Sequence, residues 1–365
     1  MVMVTINTHL PSERNSKAKE IGKHMSKDGN AQSKTKRSVK EKAKDSIIEA
    51  VKFVSPLCHA RYLTIRDRWL IAYDGITAAG TLIDESMNVS PDATLFLAAL
   101  KAAKAGATLT LDGTVLTVKA GRFSARVPCL PQEAGNPIEP DPQTHFIDDR
   151  FKEAFETLSK IVLDGGDEIR SSIAIINDSM YSTNGRVLMQ YWHSFELPIS
   201  VMIPKASARF VASTDKFIVG IGASTNSVTF HFDDGSWVKT NLYNKQPPDY
   251  NRILTPEAPL SVKEIPEELW TGLSALKKFC SDDRIYVYNK GLRTHFKQNL
   301  SSVYEFEGLE GLEEFEVDQL QSFESLFTHI DMTSSSRVIY LFGNAHNVRG
   351  CISKFPKETE EDIPF

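Results

Sequence analysis

Apolar positions along the chain recur with two different spacings. Val228, Phe230 and Phe232 alternate with polar neighbours, which is the period of a half-buried β-strand. The turn-forming sequence Asp-Asp-Gly follows at 233–235, and the alternation resumes at Trp237. The pattern predicts a β-hairpin inside the stretch 203–254, together with a short helix, an earlier strand and a proline-rich end.

The same order of predicted elements occurs three times along the chain. A helix, a strand and a strand pair are predicted before each of Pro131, Pro247 and Pro356. The steps between these prolines are 116 residues (247 − 131) and 109 residues (356 − 247). Near-equal steps of this size predict three similar domains rather than a short-period solenoid.

Each repeated unit also begins with a predicted amphipathic helix. Apolar residues fall at helical spacing over 39–54, over 151–161 and over 269–279, where Pro266 and two glutamates mark the helix start. Helices and strands in this order predict an α+β fold with both helices of a unit on one face of its sheet. The predicted divisions are a disordered basic N-terminal arm at 1–37, domains at 38–135, 143–256 and 261–356, and an acidic tail at 357–365.

Four short segments carry a resemblance to a known family. PPDYNRIL (247–254) resembles the FPDYRRVLP segment of the bacterial DNA polymerase III beta sliding clamp, and STNGRVL (182–188) resembles its TDGHRLA turn. GRFSARVPCLP (121–131) and IPKAS (203–207) are similar to two further segments of that family. The resemblance covers about residues 38–356, although the third domain matches weakly. It implies a DNA-clamp fold with three repeated helix–strand domains per chain, and a head-to-tail homodimeric ring around duplex DNA that holds a DNA polymerase.

Composition agrees with this picture. The chain has 365 residues, 41% hydrophobic and 24% charged, as in soluble globular proteins, and no apolar run is long enough for a membrane span. Four widely spaced cysteines predict free thiols in a reducing, cytoplasmic compartment. We find no catalytic, cofactor-binding or metal-ligand motif, so no enzyme activity and no cofactor are expected. The segment LDGGDEI (163–169) is interpreted as a turn.

Charge is unevenly distributed. Residues 1–45 carry eleven basic and five acidic residues, a balance of +6, and the remainder carries 31 basic and 42 acidic residues, a balance of −11. An acidic body argues against nonspecific coating of DNA, but not against a ring with cations on its inner side. The basic arm has two open interpretations, a contact to DNA phosphate or a solvated tail.

The resemblance places both helices of every domain on the lining of a DNA-sized hole. Basic residues on these helices could equally belong to ordinary solvated faces. The predicted DNA-facing cations are Lys40, Lys44, Lys52, Lys101, Lys104, Arg150, Lys152, Lys205, Arg209, Lys277 and Lys278.

The resemblance also implies a groove for partner peptides. An apolar floor would accept Leu and Phe anchors, and arginines would bond peptide carbonyls or carboxylates. The alternative is that the apolar members are ordinary core residues. The matching positions are Thr183, Gly185, Arg186, Leu188, Pro248, Arg252 and Ile253.

The chain ends in an unusual tip. KETEEDIPF (357–365) resembles the acidic tip of bacterial single-stranded-DNA-binding proteins, whose terminal Phe ring and carboxylate dock on receptor proteins. The docking residues would be Asp362, Ile363, Pro364 and Phe365, and the alternative is a solubilising tail. The sequence therefore predicts a sliding clamp, possible in origin from a phage, that is served by a clamp loader. The alternative function is a clamp-fold adaptor or decoy that recruits replication and repair proteins through this tip.

Overall fold

The computed structural model describes residues 47–58, 61–103, 107–130, 138–280, 282–295, 301–343 and 347–356. Lys40, Lys44, Lys104 and the tip at 357–365 lie outside these ranges. The helices of the described ranges are α1 (residues 47–54), α2 (Ala93–Ala103), α3 (Arg150–Ser159), α4 (Lys205–Ala212), α5 (Tyr250–Leu254), α6 (Glu267–Leu276) and α7 (Val317–Gln321).

The strands fall into three groups along the chain. The first group is β1 (Thr64–Arg66), β2 (Trp69–Tyr73), β3 (Thr77–Leu82), β4 (Ser90–Pro91), β5 (Thr108–Asp112), β6 (Val115–Ala120) and β7 (Phe123–Leu130). The second is β8 (Ser172–Ile176), β9 (Ser179–Thr183), β10 (Val187–Trp192), β11 (Ser200–Pro204), β12 (Ile218–Ala223), β13 (Ser227–Phe232) and β14 (Trp237–Asn241). The third is β15 (Lys263–Glu264), β16 (Arg284–Tyr288), β17 (Gly291–Arg293), β18 (Val303–Glu305), β19 (Leu312–Glu316), β20 (His329–Asp331), β21 (Val338–Phe342) and β22 (Val348–Ser353).

One order of elements therefore occurs three times: a helix, four strands, a second helix and three strands. We call these units repeat 1 (α1 to β7), repeat 2 (α3 to β14) and repeat 3 (α6 to β22). The four strands after the first helix form the first half of a repeat, and the three strands after the second helix belong to its second half. The α+β class predicted from the alternating periods is confirmed.

Consecutive repeats share their sheets. A six-stranded sheet, β1-β2-β3-β14-β13-β12, joins the first half of repeat 1 to the second half of repeat 2. An eight-stranded sheet, β11-β8-β9-β10-β22-β21-β20-β15, joins the first half of repeat 2 to the second half of repeat 3 in the same manner. The joining pairs are β3 with β14 and β10 with β22, and both are antiparallel. The two remaining half-sheets, β4-β7-β6-β5 and β18-β17-β16-β19, have four strands each.

The helices pack on one face of these sheets. In α3, Phe151, Phe155 and Leu158 are fully buried against the sheet, as their predicted helical spacing requires. The ring of Phe53 in α1 lies 5.9 Å from that of Phe210 in α4, so the helices of adjacent repeats contact each other. No helix within the described ranges is long and apolar enough to cross a membrane.

Buried hydroxyl groups connect repeats 1 and 2. Ser207 of α4 lies 2.6 Å from the Thr77 hydroxyl on β3 and 2.7 Å from the Thr240 hydroxyl on β14. On the opposite face of the same sheet, Gly80 leaves room for the indole of Trp237, which is 2.3 Å from the position a Cβ would take. The joint between the two repeats is thus specified on both faces of the sheet.

The connection between repeats 1 and 2 crosses the outer face of the six-stranded sheet. The carboxylate of Asp141 accepts hydrogen bonds from Ser227, Thr229 and Lys239 at 2.8–3.1 Å. Burial tends to raise the pKa of Asp141, but these hydrogen bonds outweigh it and the pKa is lowered. A Cβ at Gly222 would lie 2.2 Å from the carbonyl oxygen of Pro142 in this connection.

Two expectations about local structure can now be judged. The hairpin is confirmed: β13 and β14 flank Asp233-Asp234-Gly235, and Gly235 has a positive φ of 81°. The interpretation of GIGAST (220–225) as a turn is wrong for its first part, because residues 220–223 lie within β12. Glycine is required there because the 138–145 connection passes directly over Gly222.

The second helix of repeat 3 is shorter than the predicted 317–327 segment. It ends at Gln321, and the chain continues in tight turns, with Phe323 N–H donating to Leu320 O and Leu326 N–H to Phe323 O. The turns direct both Phe323 and Phe327 into the core, where their rings meet edge to face at 5.4 Å.

Candidate functional site

The outer face of the eight-stranded sheet carries the residues of the predicted groove. Strand register aligns Leu188 of β10 with Cys351 of β22 and with Tyr340 of β21. The next row toward the end of β10 contains Gln190, Arg349 and Phe342. Side chains alternate across a strand, so these rows share the face opposite the helices.

A tight loop between β9 and β10 forms one side of the site. Thr183 Oγ1 donates to Val187 O at 2.7 Å and accepts from Gly185 N–H at 3.0 Å. Asn184 Oδ1 accepts from the N–H groups of Arg186 and Val187 at 2.9 and 2.8 Å. Gly185 has a φ of +93°, a conformation that other residues adopt with strain. The loop geometry explains this local sequence without any ligand.

Helix α5 covers the next part of the face. Asp249 begins it by accepting a hydrogen bond from Arg252 N–H at 3.3 Å. Tyr250 and Leu254 are buried in a cluster with Leu188, and the Tyr250 ring stacks on Tyr181 at 5.2 Å. The helix therefore brings the 247–254 segment against the strand that follows the 182–188 loop.

The predicted pocket residues meet in one region but differ in exposure. Leu188 is 5% exposed and belongs to the cluster under α5, so it is a core residue at the base of the site. Ile253 is 48% exposed, Arg252 is exposed and Pro248 is half-buried. The surface that a peptide could touch is therefore the rim formed by α5 and the 183–186 loop.

Sequence reasoning left the C-terminal strand end unassigned, and this end completes the site. The Phe355 ring lies between two guanidinium groups, 3.7 Å from that of Arg186 and 3.9 Å from that of Arg284. Arg186 also pairs with Glu316, and Ser353 N–H donates to Arg186 O at 2.9 Å. Arg186 is thus occupied by repeat 3 rather than held free for a peptide. No sequence motif signals Phe355, because its partners come from two distant repeats.

A buried ion pair fixes the same segment. Lys354 Nζ lies 2.6 Å from Glu313 Oε1, and both side chains are less than a tenth exposed. Lys354 Nζ also donates to Met332 O at 2.5 Å. The chain is therefore held in place up to Phe355, and the tip at 357–365 begins beside Arg186.

The predicted DNA-facing cations fall into two groups in the structure. Lys101 and Lys278 are exposed and have no carboxylate partner among the described residues. The paired residues within the described ranges are Lys52 with Glu49, Arg150 with Asp148, Lys205 and Arg209 with Asp164, and Lys277 with Asp318. Lys152 Nζ donates to Lys216 O at 3.1 Å.

Lys205 differs from the other predicted cations because its side chain is buried. Its ammonium group lies 2.9 Å from Asp164 Oδ1 and donates to Val162 O. The side chain thereby joins α4 to the end of α3, and it does not present its charge to solvent as expected from the sequence. The reason is that the helix turns Lys205 toward the sheet together with Ala208 and Val211.

Chemical features of an enzyme or metal site were also sought. In the part of the chain that the structure describes, no three His, Cys, Asp or Glu side chains form a group that could hold a metal ion. His193 is buried beside Phe151 and Phe195, and burial lowers its pKa to about 4. It therefore stays neutral inside the core at pH 7.

The three repeats, the sheets shared between them and the helices on one face define the fold of a DNA sliding clamp. Solved structures that the chain resembles are the DNA polymerase sliding clamps from Bacillus subtilis (TM-score 0.73, 13% identity), Caulobacter crescentus (0.73, 13%) and Pseudomonas aeruginosa (0.71, 12%). Each alignment covers 86% of this chain and 98% of the other chain. No protein-family model and no curated protein matches the sequence. The recognised clamp fold is confirmed, and at this identity the likeness concerns the fold.

Proposed function

We propose that the protein is a DNA sliding clamp, in which two chains close head to tail into a ring around duplex DNA. The observation that carries the proposal is the way the repeats share sheets. Twice, the third strand of one repeat pairs with the last strand of the next repeat. The same rule leaves β18 of repeat 3 and β7 of repeat 1 to pair between chains.

The hydrogen-bond pattern supports this pairing. Cys129 N–H donates to Thr114 O, so by alternation residues 124 and 126 of β7 direct their backbone groups away from β6. Phe306 N–H donates to Lys290 O, so residues 303 and 305 of β18 point away from β17 in the same way. Exposed strand edges readily pair with another strand. Arg126 and Glu305, both exposed, give these two edges opposite charges.

A closed ring explains the function without a catalytic site. It cannot leave the duplex sideways, so a bound DNA polymerase stays near the primer end at high effective concentration. Contacts from inward cations such as Lys101 and Lys278 would be weak and independent of sequence, which permits sliding. A clamp loader is the further partner that opening such a ring requires.

The proposal requires a dimer of about 82 kDa, twice the 40.8 kDa chain. Sedimentation equilibrium at micromolar concentration measures this mass directly. A monomer under those conditions would remove the ring while leaving the fold unchanged.

The rim of α5 and the 183–186 loop is proposed as the docking site for polymerase peptides. Ile253→Glu is expected to weaken binding of a Gln-Leu-x-Leu-Phe peptide at least about tenfold, because it places a charge on an exposed apolar contact. The melting temperature should stay near that of the unchanged protein. Leu188→Glu is the contrasting variant, and it should lower the melting temperature because Leu188 is buried. Equal peptide binding by Ile253→Glu and the unchanged protein, in a fluorescence titration, would exclude this rim.

A second candidate function is favoured by the acidic tip. The chain is fixed up to Phe355 and then continues into a segment that resembles a docking peptide. Under this alternative the protein is an adaptor or decoy that recruits receptors of the single-stranded-DNA-binding tail. Titration of peptide 357–365 against such a receptor tests it, and equal binding by a peptide without Phe365 would exclude it.

A further inference from the structure

A cleft of about 320 Å³ lies on the outer face of the eight-stranded sheet, away from the 183–186 loop. The indole of Trp192 and the ring of Phe342 line it together with Gln190, Val348 and Arg349. Trp192 is 51% exposed, which is unusual for so large an apolar side chain. The cleft thus offers an aromatic surface beside a guanidinium group.

Arg349 is placed to receive an anion. Its guanidinium donates to Gln190 Oε1 and, at 3.4 Å, to Asn251 Oδ1, both of which are neutral acceptors. Within the described ranges no carboxylate pairs with it, whereas Asp178, the acid nearest to the indole, accepts from Trp192 Nε1 at 2.9 Å. An aromatic residue that carries its own carboxylate would match both parts of the cleft.

We propose that this cleft binds the C-terminal tip of the same chain, with the Phe365 ring against Trp192 and its terminal carboxylate on Arg349. Phe365 is the one residue of the chain that combines an aromatic ring with the terminal carboxylate. Pro364 reduces the conformational freedom that the tip loses on binding.

The length of the tail fits this arrangement. Arg349 lies seven residues before Pro356, which corresponds to at most about 23 Å along an extended chain. The nine residues 357–365 can span at most about 30 Å. The tail can therefore turn back from Phe355 and reach the cleft along the outer face. Its four acids would pass the exposed side chain of Arg252 on the way.

Such a path has a consequence that rests on the proposed peptide groove. The returning tail would lie beside Ile253, where polymerase peptides are proposed to bind. The docked tip would then compete with partner peptides, and partners would bind more tightly to a chain whose tip cannot dock.

The test uses the full chain and a fluorescent peptide of residues 357–365. Phe365→Ala in the chain should increase its affinity for this peptide at least about fivefold, because the chain's own tip no longer competes. Adding Arg349→Ala or Trp192→Ala to that chain should lower the affinity at least about tenfold, and a peptide with an amidated C-terminus should bind as weakly. Adding Arg337→Ala, which changes an exposed arginine elsewhere on the sheet, should have no effect.

Three results would overturn the proposal: no binding by the Phe365→Ala chain at millimolar concentration, equal affinities for the unchanged and Phe365→Ala chains, or equal effects of the Arg349 and Arg337 substitutions. Melting temperatures of all variants identify any loss that comes from unfolding, and Trp192→Ala provides a second, exposed position. The experiment contains neither DNA nor polymerase, so its failure leaves the clamp proposal standing.

Discussion

Arg126→Pro is expected to convert the protein from a dimer of about 82 kDa into a monomer of 40.8 kDa. The N–H group of residue 126 points away from β6, so proline removes a donor of the proposed intermolecular ladder without breaking a bond inside the chain. Its ring also obstructs the approach of a neighbouring strand. Sedimentation equilibrium measures the change in mass.

Arg126→Ala is the matched control for this variant. It keeps the N–H group and removes the charge, so the dimer should persist with a modestly higher dissociation constant. Ser124→Pro, at the other outward position of β7, should repeat the effect of Arg126→Pro if the latter unfolds. A dimer that survives both prolines would show that β7 is not the closing edge.

Glu313→Ala is expected to lower the free energy of unfolding by about 3–5 kcal/mol, because it leaves the Lys354 ammonium buried without a counter-charge. Chemical denaturation of the variant and the unchanged protein measures the difference. Glu310→Ala is the control, since its pair with Lys263 at 2.8 Å is largely exposed and should contribute at most about 1 kcal/mol.

The double variant Glu313→Leu with Lys354→Met separates charge burial from packing. Replacing both partners by apolar residues removes the unpaired charge, so most of the lost stability should return. If the double variant is as unstable as Glu313→Ala, the loss comes from packing around the C-terminal segment and not from the ion pair.

Local structure was predictable from the sequence wherever short-range rules decide it. The alternation of Val228, Phe230 and Phe232 before Asp-Asp-Gly predicts a hairpin, and the structure contains it. The bounds of α2 follow from its apolar spacing in the same way. Helix α7 is the exception, because burial of Phe323 and Phe327 favours tight turns over a continued helix.

Contacts between repeats could not be predicted because they join residues far apart in the chain. The pairing of β3 with β14 and the position of Phe355 between Arg186 and Arg284 depend on how repeats meet. Lys205 illustrates the same limit for the proposed DNA-facing set. Helical spacing marks it as a cation near other cations, but only the fold shows that its charge is buried against Asp164.

The most direct test of the proposed function compares retention on circular and linear DNA. Chains diluted until they dissociate are mixed with nicked circular duplex, concentrated so that rings close around it, and passed through a gel-filtration column at about 0.2 M salt, where weak phosphate contacts are screened. A ring should elute with the circular DNA and be lost after a restriction enzyme linearises it, and Arg126→Pro should be retained on neither. Equal retention of the unchanged protein on circular and linear DNA would contradict the account, because binding would then depend on ordinary contacts and not on enclosure.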